Sequence, residues 1–417
     1  MGSTIYASDF KKMPTWFHAL NKTWRFTYPL GSKTKLEKDD LIRSVRKSTG
    51  LKNLGKDFWD EPLERLIQSI NEEANLHPIG RFITKQRLAN LLATRLQAEW
   101  WFSKKPEILD QPLYPVFMIA GLQRTGTTKL QRLLSADPDT RSLLSWEALN
   151  PSPPVQGKDN RIAFAKTSEK ALKYMAPGFF AIHPVEHQAQ EEDILLLDVS
   201  FLSTTPEATM HVPSYAAWLE ETDQSPAYLY GAKLLKLLQW QMPGKYWVLK
   251  SPHHLEFLDV IYKSYGDVNF LWTHRDLKAC IPSFLSMLAH GQAIFSDQVS
   301  IDDIKEHWMN KTRYMLEKAM KFRKSVNDPD KFIDIQYNQF ITDPIKILKD
   351  IYVRIGRPMD QKLEDKLALV DKKNSKGKYG AHKYSLNDFG ISQETISSHY
   401  IEYLEYFNKL KDRSNHE

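Results

Sequence analysis

A stretch that combines glycine, arginine and threonine, residues 121–128 with the sequence GLQRTGTT, has the composition of an anion-binding loop. It follows a short apolar run, residues 116–120, and precedes the helix-like stretch KLQRLL. Glycines let backbone N–H groups wrap around an anion, and a helix that begins at the loop adds its positive N-terminal dipole. The strand–loop–helix order therefore predicts a phosphate-binding loop with Arg124 as its cation. A turn without a ligand is the alternative.

The two glycines of this loop, Gly121 and Gly126, have the spacing of an ATP-binding loop, but one residue departs from that motif. Thr127 stands where the motif requires a lysine. Neither of the next two apolar runs ends in an aspartate that could hold magnesium. We therefore expect the loop to bind a 5′-phosphate without a metal. A P-loop nucleotide kinase or a catalytically silent nucleotide-binding protein is the alternative.

The pattern Arg-Thr-Gly-Thr-Thr in this loop resembles the 5′-phosphosulfate loop of sulfotransferases that use 3′-phosphoadenosine 5′-phosphosulfate (PAPS). The use of arginine is similar to the bacterial branch, and the resemblance extends over most of the chain. It includes Asp137-Pro138, Ser145-Trp146-Glu147, NPSPP at 150–154 and HKYSLNDFG at 382–390. It implies that the 5′-phosphosulfate is bound by Arg124, Thr125, Gly126, Thr127 and Thr128.

The resemblance implies a second phosphate site, for the 3′-phosphate, where the third apolar run ends. Arg275 follows that run and Ser283 comes eight residues later, as in the family. A guanidinium can bind a phosphate bidentately, and the hydroxyl adds a donor. Pro282 argues against a regular helix there. A salt bridge of Arg275 with Asp276 or another neighbour is the alternative.

Two more segments resemble the family's nucleotide site. Tyr337, in the stretch QYNQF, is implied to pack near the adenine. Lys376 and Gly377 are implied to close over the 3′-phosphate, although this chain has Ser375 where the family often has arginine. A solvated basic loop is the alternative for this last segment.

The candidates for the chemistry are one lysine, two histidines and one glutamate. Sulfuryl transfer needs a base for the acceptor's proton and cations near the bridging oxygen. The resemblance implies that Lys250 acts beside Arg124, and that a histidine shortly after Lys250 is the base. The spacing Lys-Ser-Pro-x-His, common in the bacterial branch, favours His254 over His253. Glu147 is the rival base, since some bacterial relatives place a catalytic carboxylate there.

A zinc-protease pattern, His-x-x-Glu-His, is formed by His183, Glu186 and His187, with Glu191 and Glu192 close by. A match this short arises easily by chance, and a cofactor site is already present. We expect no metal here. A role in the acceptor pocket is one interpretation of this stretch, and a structural role is the other.

The elements that must position these residues follow a repeating pattern. Apolar runs at residues 116–120, 246–249, 268–272 and 332–335 are separated by helical stretches. Continuous apolar runs are typical of strands buried on both faces of a parallel sheet. The predicted fold is α/β: a P-loop-type three-layer fold with a central parallel sheet flanked by helices, plus a helical N-terminal extension.

The N-terminal region, residues 1–111, is predicted to be helical and to precede a sulfotransferase domain at residues 112–417. Asp60 is expected to cap one helix, with its apolar face at Leu63, Leu66, Ile67 and Ile70. Thr84 is expected to cap the next helix, after a turn-rich connector at residues 75–80.

The overall composition restricts the class of protein. The net charge of +6 arises from 57 basic and 51 acidic residues, which fits a small anionic ligand better than a nucleic acid. A single cysteine, Cys280, allows no intrachain disulfide and suggests a reducing compartment. We found no apolar run long enough to span a membrane and no signal peptide. We therefore expect a cytoplasmic protein without stable membrane insertion.

The expected function is PAPS-dependent sulfuryl transfer to a small-molecule hydroxyl, with an amine as the alternative acceptor. PAPS is expected as co-substrate, without a metal. Large apolar side chains between the loop and the second strand favour an apolar acceptor such as a sterol, lipid or phenol. They are Trp146, Phe179, Phe180, Phe201, Tyr215 and Trp218. Ordinary core packing of these rings is the alternative, and a saccharide acceptor and the oligomeric state stay open.

Overall fold

A parallel sheet forms the centre of the molecule. The computed structural model describes residues 4–27, 35–266, 268–373 and 380–414. Within these ranges, five strands form this sheet in the order β3-β4-β2-β5-β6, and β1 pairs with β7 in a small parallel sheet. The strands are β1 Thr4–Tyr6, β2 Pro115–Ala120, β3 Thr140–Ser142, β4 Tyr246–Lys250, β5 Asn269–His274, β6 Phe332–Gln336 and β7 Ala381–Lys383.

Helices surround the sheet and account for most of the chain. The α-helices before β4 are α1 Thr15–Thr27, α2 Lys38–Thr49, α3 Asp60–Glu72, α4 Pro78–Lys104, α5 Glu107–Asp110, α6 Thr127–Leu134, α7 Ser145–Leu149, α8 Arg161–Met175, α9 Pro177–Ile182, α10 Ile194–Leu197, α11 Thr205–Thr209, α12 Pro213–Glu221 and α13 Ser225–Gln241. Those after β4 are α14 Leu258–Tyr265, α15 Leu277–Gln292, α16 Ile301–Ser325, α17 Tyr337–Thr342, α18 Pro344–Arg354, α19 Gln361–Lys373, α20 Gln393–His399 and α21 Ile401–Ser414. Short 3-10 helices lie at Ala7–Lys11, Asp198–Ser200, Pro252–Glu256, Pro329–Lys331 and Leu386–Phe389.

The predicted α/β fold is confirmed, because the four apolar runs form β2, β4, β5 and β6 of the parallel sheet. The short edge strand β3 was not predicted, since its three residues, Thr-Arg-Ser, carry no apolar run. In a parallel sheet, the carboxyl ends of neighbouring strands meet at one edge. Ile119 of β2 lies beside Lys250 of β4, and Ala120 lies beside Trp272 of β5. The phosphate loop, Lys250 and Arg275 therefore lie together at the carboxyl ends of β2, β4 and β5, which we call the reacting edge of the sheet.

The two faces of the sheet pack against different sets of helices. Phe117 and Ile119 belong to a buried cluster with side chains of α6, α18 and α19. Met118 and Ala120 belong to a larger cluster on the other side. That cluster includes the buried side chains of α2, α3 and α4, so the N-terminal helices share a core with the sheet. The predicted boundary between residues 111 and 112 stays a prediction.

Two expectations about local structure that involve prolines are wrong. The helix that Thr84 was expected to cap begins earlier, at Pro78, and Thr84 is buried inside it. His77 caps this helix by accepting a hydrogen bond from the backbone N–H of Gly80, and a proline is well suited to the first helical position. Pro282 lies within the continuous helix α15, although it was expected to argue against a regular helix there.

The apolar face predicted for α3 fits the structure, but the predicted cap is wrong, because Asp60 lies inside the helix and not before it. The four apolar residues at positions 63, 66, 67 and 70 are all buried on one face of α3. Asp60 is the first residue of that helix, and the position before it is occupied by Trp59. No helix in the described ranges is long and apolar enough to cross a membrane.

Candidate active site

The phosphate loop makes a tight turn between β2 and α6 that depends on unusual backbone angles. Gly121 has a φ of 151°, Arg124 a φ of 70° and Gly126 a φ of 94°. A positive φ is rare for arginine and costs on the order of 1 kcal/mol, so the surrounding contacts must hold it. The turn leads directly into Thr127, the first residue of α6, whose first backbone N–H groups have no partner within the helix. These groups are available to an anion.

The predicted loop threonines have different environments. The hydroxyl of Thr125 donates to the carbonyl of Leu122 at 2.6 Å and lies 2.6 Å from the hydroxyl of Thr273 in β5. Thr125 and Thr127 are buried, whereas Thr128 is exposed in the first turn of α6. Thr125 therefore ties the loop to the neighbouring strand, while Thr128 is open to a ligand.

Gly121→Ala is expected to destabilise the protein by about 2 kcal/mol or more, because the site has neither the space nor the backbone angle for a side chain. A Cβ atom at Gly121 would lie 2.1 Å from Oγ1 of Thr273 and 2.8 Å from its carbonyl oxygen. Chemical denaturation measures the loss. Gly178→Ala in α9 is the control, since its Cβ would meet only the ring of His290, at 3.6 Å. Equal stability of the two variants would contradict this description of the loop.

The structure brings the two predicted phosphate sites together. Nε of Arg124 donates to the hydroxyl of Ser283 at 3.1 Å, although the two residues are 159 positions apart. Arg275 donates from Nη1 to the backbone carbonyl of Arg124 at 2.7 Å. The guanidinium carbon of Arg275 lies 4.2 Å from the ring centroid of Tyr337, which in turn lies close to Gly126. One cation thus supports the strained backbone of the loop and stacks on the aromatic ring.

The two guanidinium groups at this site have no counter-ion in the described part of the chain. Neither Arg124 nor Arg275 forms an ion pair with any described carboxylate. Burial lowers the pKa of Arg124, and the nearby charge of Arg275 lowers it further. Two adjacent cations without a carboxylate partner are the arrangement expected of an anion-binding site.

Lys250 lies at the end of β4 in a buried ion pair that was not predicted. Its Nζ contacts Oε1 of Glu192 at 2.6 Å, and only 3% of the lysine side chain is exposed. The other carboxylate oxygen of Glu192 accepts from the hydroxyl of Ser251 at 3.4 Å. The backbone N–H of Lys250 donates to Oδ1 of Asp193 at 2.8 Å. Two consecutive acidic residues therefore hold the side chain and the backbone of Lys250.

The two histidines that follow Lys250 are buried behind the reacting edge. His254 is fully buried, with Nε2 at 2.9 Å from Oδ2 of Asp193 and Nδ1 at 3.0 Å from the hydroxyl of Tyr228. His253 is also buried, and its Nδ1 lies 3.1 Å from the hydroxyl of Thr204. Burial lowers the pKa of His253 well below its usual range. Both ring nitrogens of His254 are therefore occupied by protein groups.

Glu147, the third candidate base, lies in a buried ion pair at the start of α7. Its Oε1 contacts Nη2 of Arg141 at 2.6 Å, and its Oε2 accepts from the backbone N–H of Leu144 at 3.0 Å. Burial raises the pKa of Glu147, while Arg141 opposes that rise. Only 2% of the glutamate side chain is exposed, so an acceptor hydroxyl has little access to it.

The His/Glu-rich stretch approaches the reacting edge at its two ends. Burial lowers the pKa of His183 to about 4, and Glu192, Lys250 and Arg124 all influence that value. Burial also raises the pKa of Glu191, next to Lys250. Glu192 was named in the sequence only as a neighbour of the zinc pattern. Its position opposite Lys250, 58 residues away, had no local signal that could have identified it.

The zinc pattern itself is not assembled into a metal site. His187 contacts Glu169 of α8 at 2.6 Å, from its Nδ1 to the carboxylate Oε2. In the described ranges, no group of three or more His, Cys, Asp or Glu side chains is arranged to hold a metal ion.

The aromatic residues proposed to line an acceptor pocket have mostly core positions. Phe201 and Tyr215 are buried, and the hydroxyl of Tyr215 donates to the carbonyl of Phe201 at 2.7 Å. Phe179 is the exception, since its ring lies 5.9 Å from the ring of His183 near the carbonyl of Ile182 that accepts from Arg124. Lys376 and Gly377 lie outside the described residues.

Comparisons with known proteins agree on one family. The profile of the family described as "Sulfotransferase family" matches residues 115–361. The fold is similar to that of sulfotransferase STF1 from Mycobacterium tuberculosis, with a TM-score of 0.77 and 28% identity over 88% of this chain and 99% of that one. It is also similar to sulfotransferase STF9 from Mycobacterium avium, with a TM-score of 0.79 and 25% identity over 88% of this chain and 96% of that one. No curated protein matches the chain significantly.

Proposed function

Because this chain belongs to the sulfotransferase family, we propose that it transfers a sulfuryl group from PAPS to a hydroxyl group of a small-molecule acceptor. One observation carries this proposal. Arg124 and Arg275, two cations without a carboxylate partner among the described residues, meet beside a phosphate loop, one strand away from the buried Lys250. Such a site suits a ligand with two separate anionic groups.

The nucleotide's groups are assigned to residues by charge and position. The 5′-phosphosulfate would lie on the loop, bound by the first N–H groups of α6, Arg124 and Thr128. The 3′-phosphate would be held by Arg275 and Ser283, which both contact Arg124, one at its backbone carbonyl and the other at its side chain. The adenine would lie near Tyr337, whose ring carries Arg275 on one face. Lys376 and Gly377 are proposed to close over the 3′-phosphate.

We propose a different base from the three that the sequence suggested. His254 has both ring nitrogens occupied, and His253 and Glu147 have almost no exposed side chain for an acceptor to reach. Glu192 is the more accessible carboxylate, with 24% of its side chain exposed, and it lies directly against Lys250. Its carboxylate can take a proton while the neighbouring ammonium offsets negative charge.

In the proposed reaction, Glu192 accepts the proton of the acceptor hydroxyl as that oxygen forms a bond to sulfur. The bond between sulfur and the bridging phosphate oxygen breaks, and its electron pair leaves with 3′-phosphoadenosine 5′-phosphate (PAP). Lys250 and Arg124 offset the charge that develops on the bridging oxygen. This step needs no metal and no redox partner.

For the acceptor, we propose an alcohol or phenol with an apolar body, supported by the ring of Phe179 beside His183. The predicted outcome is sulfation of sterols, phenols or long-chain alcohols in a matched panel that also contains oligosaccharides. Each compound is supplied with PAPS, and mass spectrometry detects the sulfated product. Sulfation restricted to the oligosaccharides would overturn the proposal of an apolar acceptor. If none of the four classes of compound is sulfated, the proposal of a hydroxyl acceptor fails and amines are the next acceptors to test.

A further inference from the structure

Behind the reacting edge of the sheet, a buried tyrosine, histidine and aspartate form a hydrogen-bonded chain that the proposed chemistry does not use. The hydroxyl of Tyr228 in α13 lies 3.0 Å from Nδ1 of His254, and Nε2 of His254 lies 2.9 Å from Oδ2 of Asp193. The other oxygen of Asp193 accepts from the backbone N–H of Lys250 at 2.8 Å. All four residues are buried. This series of hydrogen bonds therefore ends at the backbone of Lys250, the residue that pairs with Glu192 in the proposed reaction.

The direction of these hydrogen bonds follows from the chemistry of the groups. Oδ1 of Asp193 accepts from the backbone N–H of Lys250, and a hydrogen bond in which Oδ2 also accepts places a proton on Nε2 of His254. In a neutral imidazole, Nδ1 is then the acceptor, and Tyr228 donates to it. Burial raises the pKa of Tyr228 well above the usual range, so its hydroxyl keeps its proton. With both ring nitrogens engaged by protein groups, His254 has no free nitrogen for the proton of an acceptor.

A second hydrogen-bonded series of the same three residue types lies at the end of β5, which is separated from β4 by β2. The hydroxyl of Tyr403 in α21 lies 3.0 Å from Nδ1 of His274, and Nε2 of His274 lies 2.9 Å from Oδ1 of Asp334 in β6. Arg323 also donates to Asp334, at 2.6 Å and 2.8 Å. His274 is fully buried and directly precedes Arg275.

We propose that these two Tyr–His–Asp networks are positioning devices with separate tasks. The network of His254 orients Lys250 and Glu192 for the transfer, and the network of His274 orients Arg275 for the nucleotide. This proposal rests on the proposed function, and it assigns His254 a position behind the chemistry instead of a direct part in it.

The physical argument concerns where each network is attached. Asp193 directly follows Glu192 and binds the backbone of Lys250. It therefore fixes the distance between the two segments that carry Glu192 and Lys250. His274 is the last residue of β5, and its hydrogen bond to Asp334 holds it against β6. Arg275 follows directly, and its side chain reaches the backbone carbonyl of Arg124. A shift of about 1 Å in a group that acts in the reaction, such as Lys250 or Glu192, can lower the rate by about 10²-fold. A shift of Arg275 would instead weaken binding of the nucleotide.

The test uses matched substitutions at both histidines. Glutamine keeps a donor near the position of Nε2, and leucine removes all hydrogen bonding. His254→Leu is expected to lower kcat by about 10²-fold and to leave the Kd of PAP within about threefold. His274→Leu is expected to raise the Kd of PAP by about tenfold or more, and to leave kcat at saturating PAPS within about threefold. Both glutamine variants should restore most of the lost function.

The measurements are kcat and kcat/KM across pH, calorimetric titration with PAP, and thermal unfolding of each variant. If a leucine variant does not fold, the glutamine variant and His254→Asn, which keeps a partner for Tyr228 but loses the donor to Asp193, give the comparison. The inference is overturned if both substitutions reduce kcat and PAP affinity to the same extent. It is also overturned if His254→Gln is as inactive as His254→Leu and loses the fall of kcat/KM at low pH, since His254 would then be the base. A wild-type protein that binds no PAP would overturn the proposed function itself.

Discussion

Glu192→Gln is expected to lower kcat for sulfuryl transfer by about 10²- to 10⁴-fold while leaving PAP affinity nearly unchanged. The amide has the shape of the carboxylate and can still accept from Ser251, but it cannot take the acceptor's proton. Because the proton moves only during the reaction, the loss should appear in kcat and not in nucleotide binding. Steady-state kinetics with PAPS and calorimetric titration with PAP measure the two quantities separately.

Glu147→Gln is the matched comparison for this prediction. It removes one carboxylate of the same type from a buried ion pair with Arg141, away from Lys250. We expect this variant to unfold at a lower temperature, because removing the carboxylate leaves the charge of Arg141 buried without a partner. Its kcat should stay within about tenfold of the wild-type value, less than general-base removal costs. An inactive Glu147→Gln beside an active Glu192→Gln would show that the roles are reversed.

Arg275→Ala is expected to remove the protein's preference for PAP over AMP. The two nucleotides differ in the 3′-phosphate, and a charge-assisted hydrogen bond contributes about 1.5–3 kcal/mol, or about 10- to 150-fold in affinity. The loss should be larger for PAP than for AMP, because only PAP carries a 3′-phosphate, whereas any weakening of the loop through the lost contact with the Arg124 carbonyl affects both nucleotides alike. Titration of both nucleotides into the wild-type protein and the variant gives the change.

Lys278→Ala serves as the control for Arg275→Ala. It removes one positive charge three residues further along, from an exposed side chain that contacts Gln393. Exposed charges are screened by solvent and salt, so this variant should keep the preference for PAP. An equal loss of preference in both variants would mean that general positive charge, and not a specific contact, selects the 3′-phosphate.

The parts of the site that the sequence could predict are those encoded in short stretches of chain. The loop at residues 121–128 carries its own glycines and cation, and Lys250 ends an apolar run. Because parallel strands end at one edge, the approach of Arg275 to this loop also follows from the order of the runs. Thr84 and Pro282 show where local rules failed, since the surrounding structure selected an earlier helix start and a continuous helix.

The environment of each catalytic candidate could not be predicted, because it depends on segments that are distant in sequence. The motif around Lys250 identified His254 by its spacing, but Asp193 and Tyr228 come from other segments and occupy both of its nitrogens. Glu192 pairs with Lys250 across 58 positions. No local pattern distinguishes a histidine that faces an acceptor from one that holds a neighbouring carboxylate.

The most direct test of the central claim is a pair of calorimetric titrations of the wild-type protein with PAP and with AMP, in buffer that contains a metal chelator. The site predicted from Arg124, Arg275 and Ser283 binds PAP without any metal, at least about tenfold more tightly than AMP. Equal affinity for the two nucleotides, or PAP binding that appears only when magnesium is restored, would contradict it.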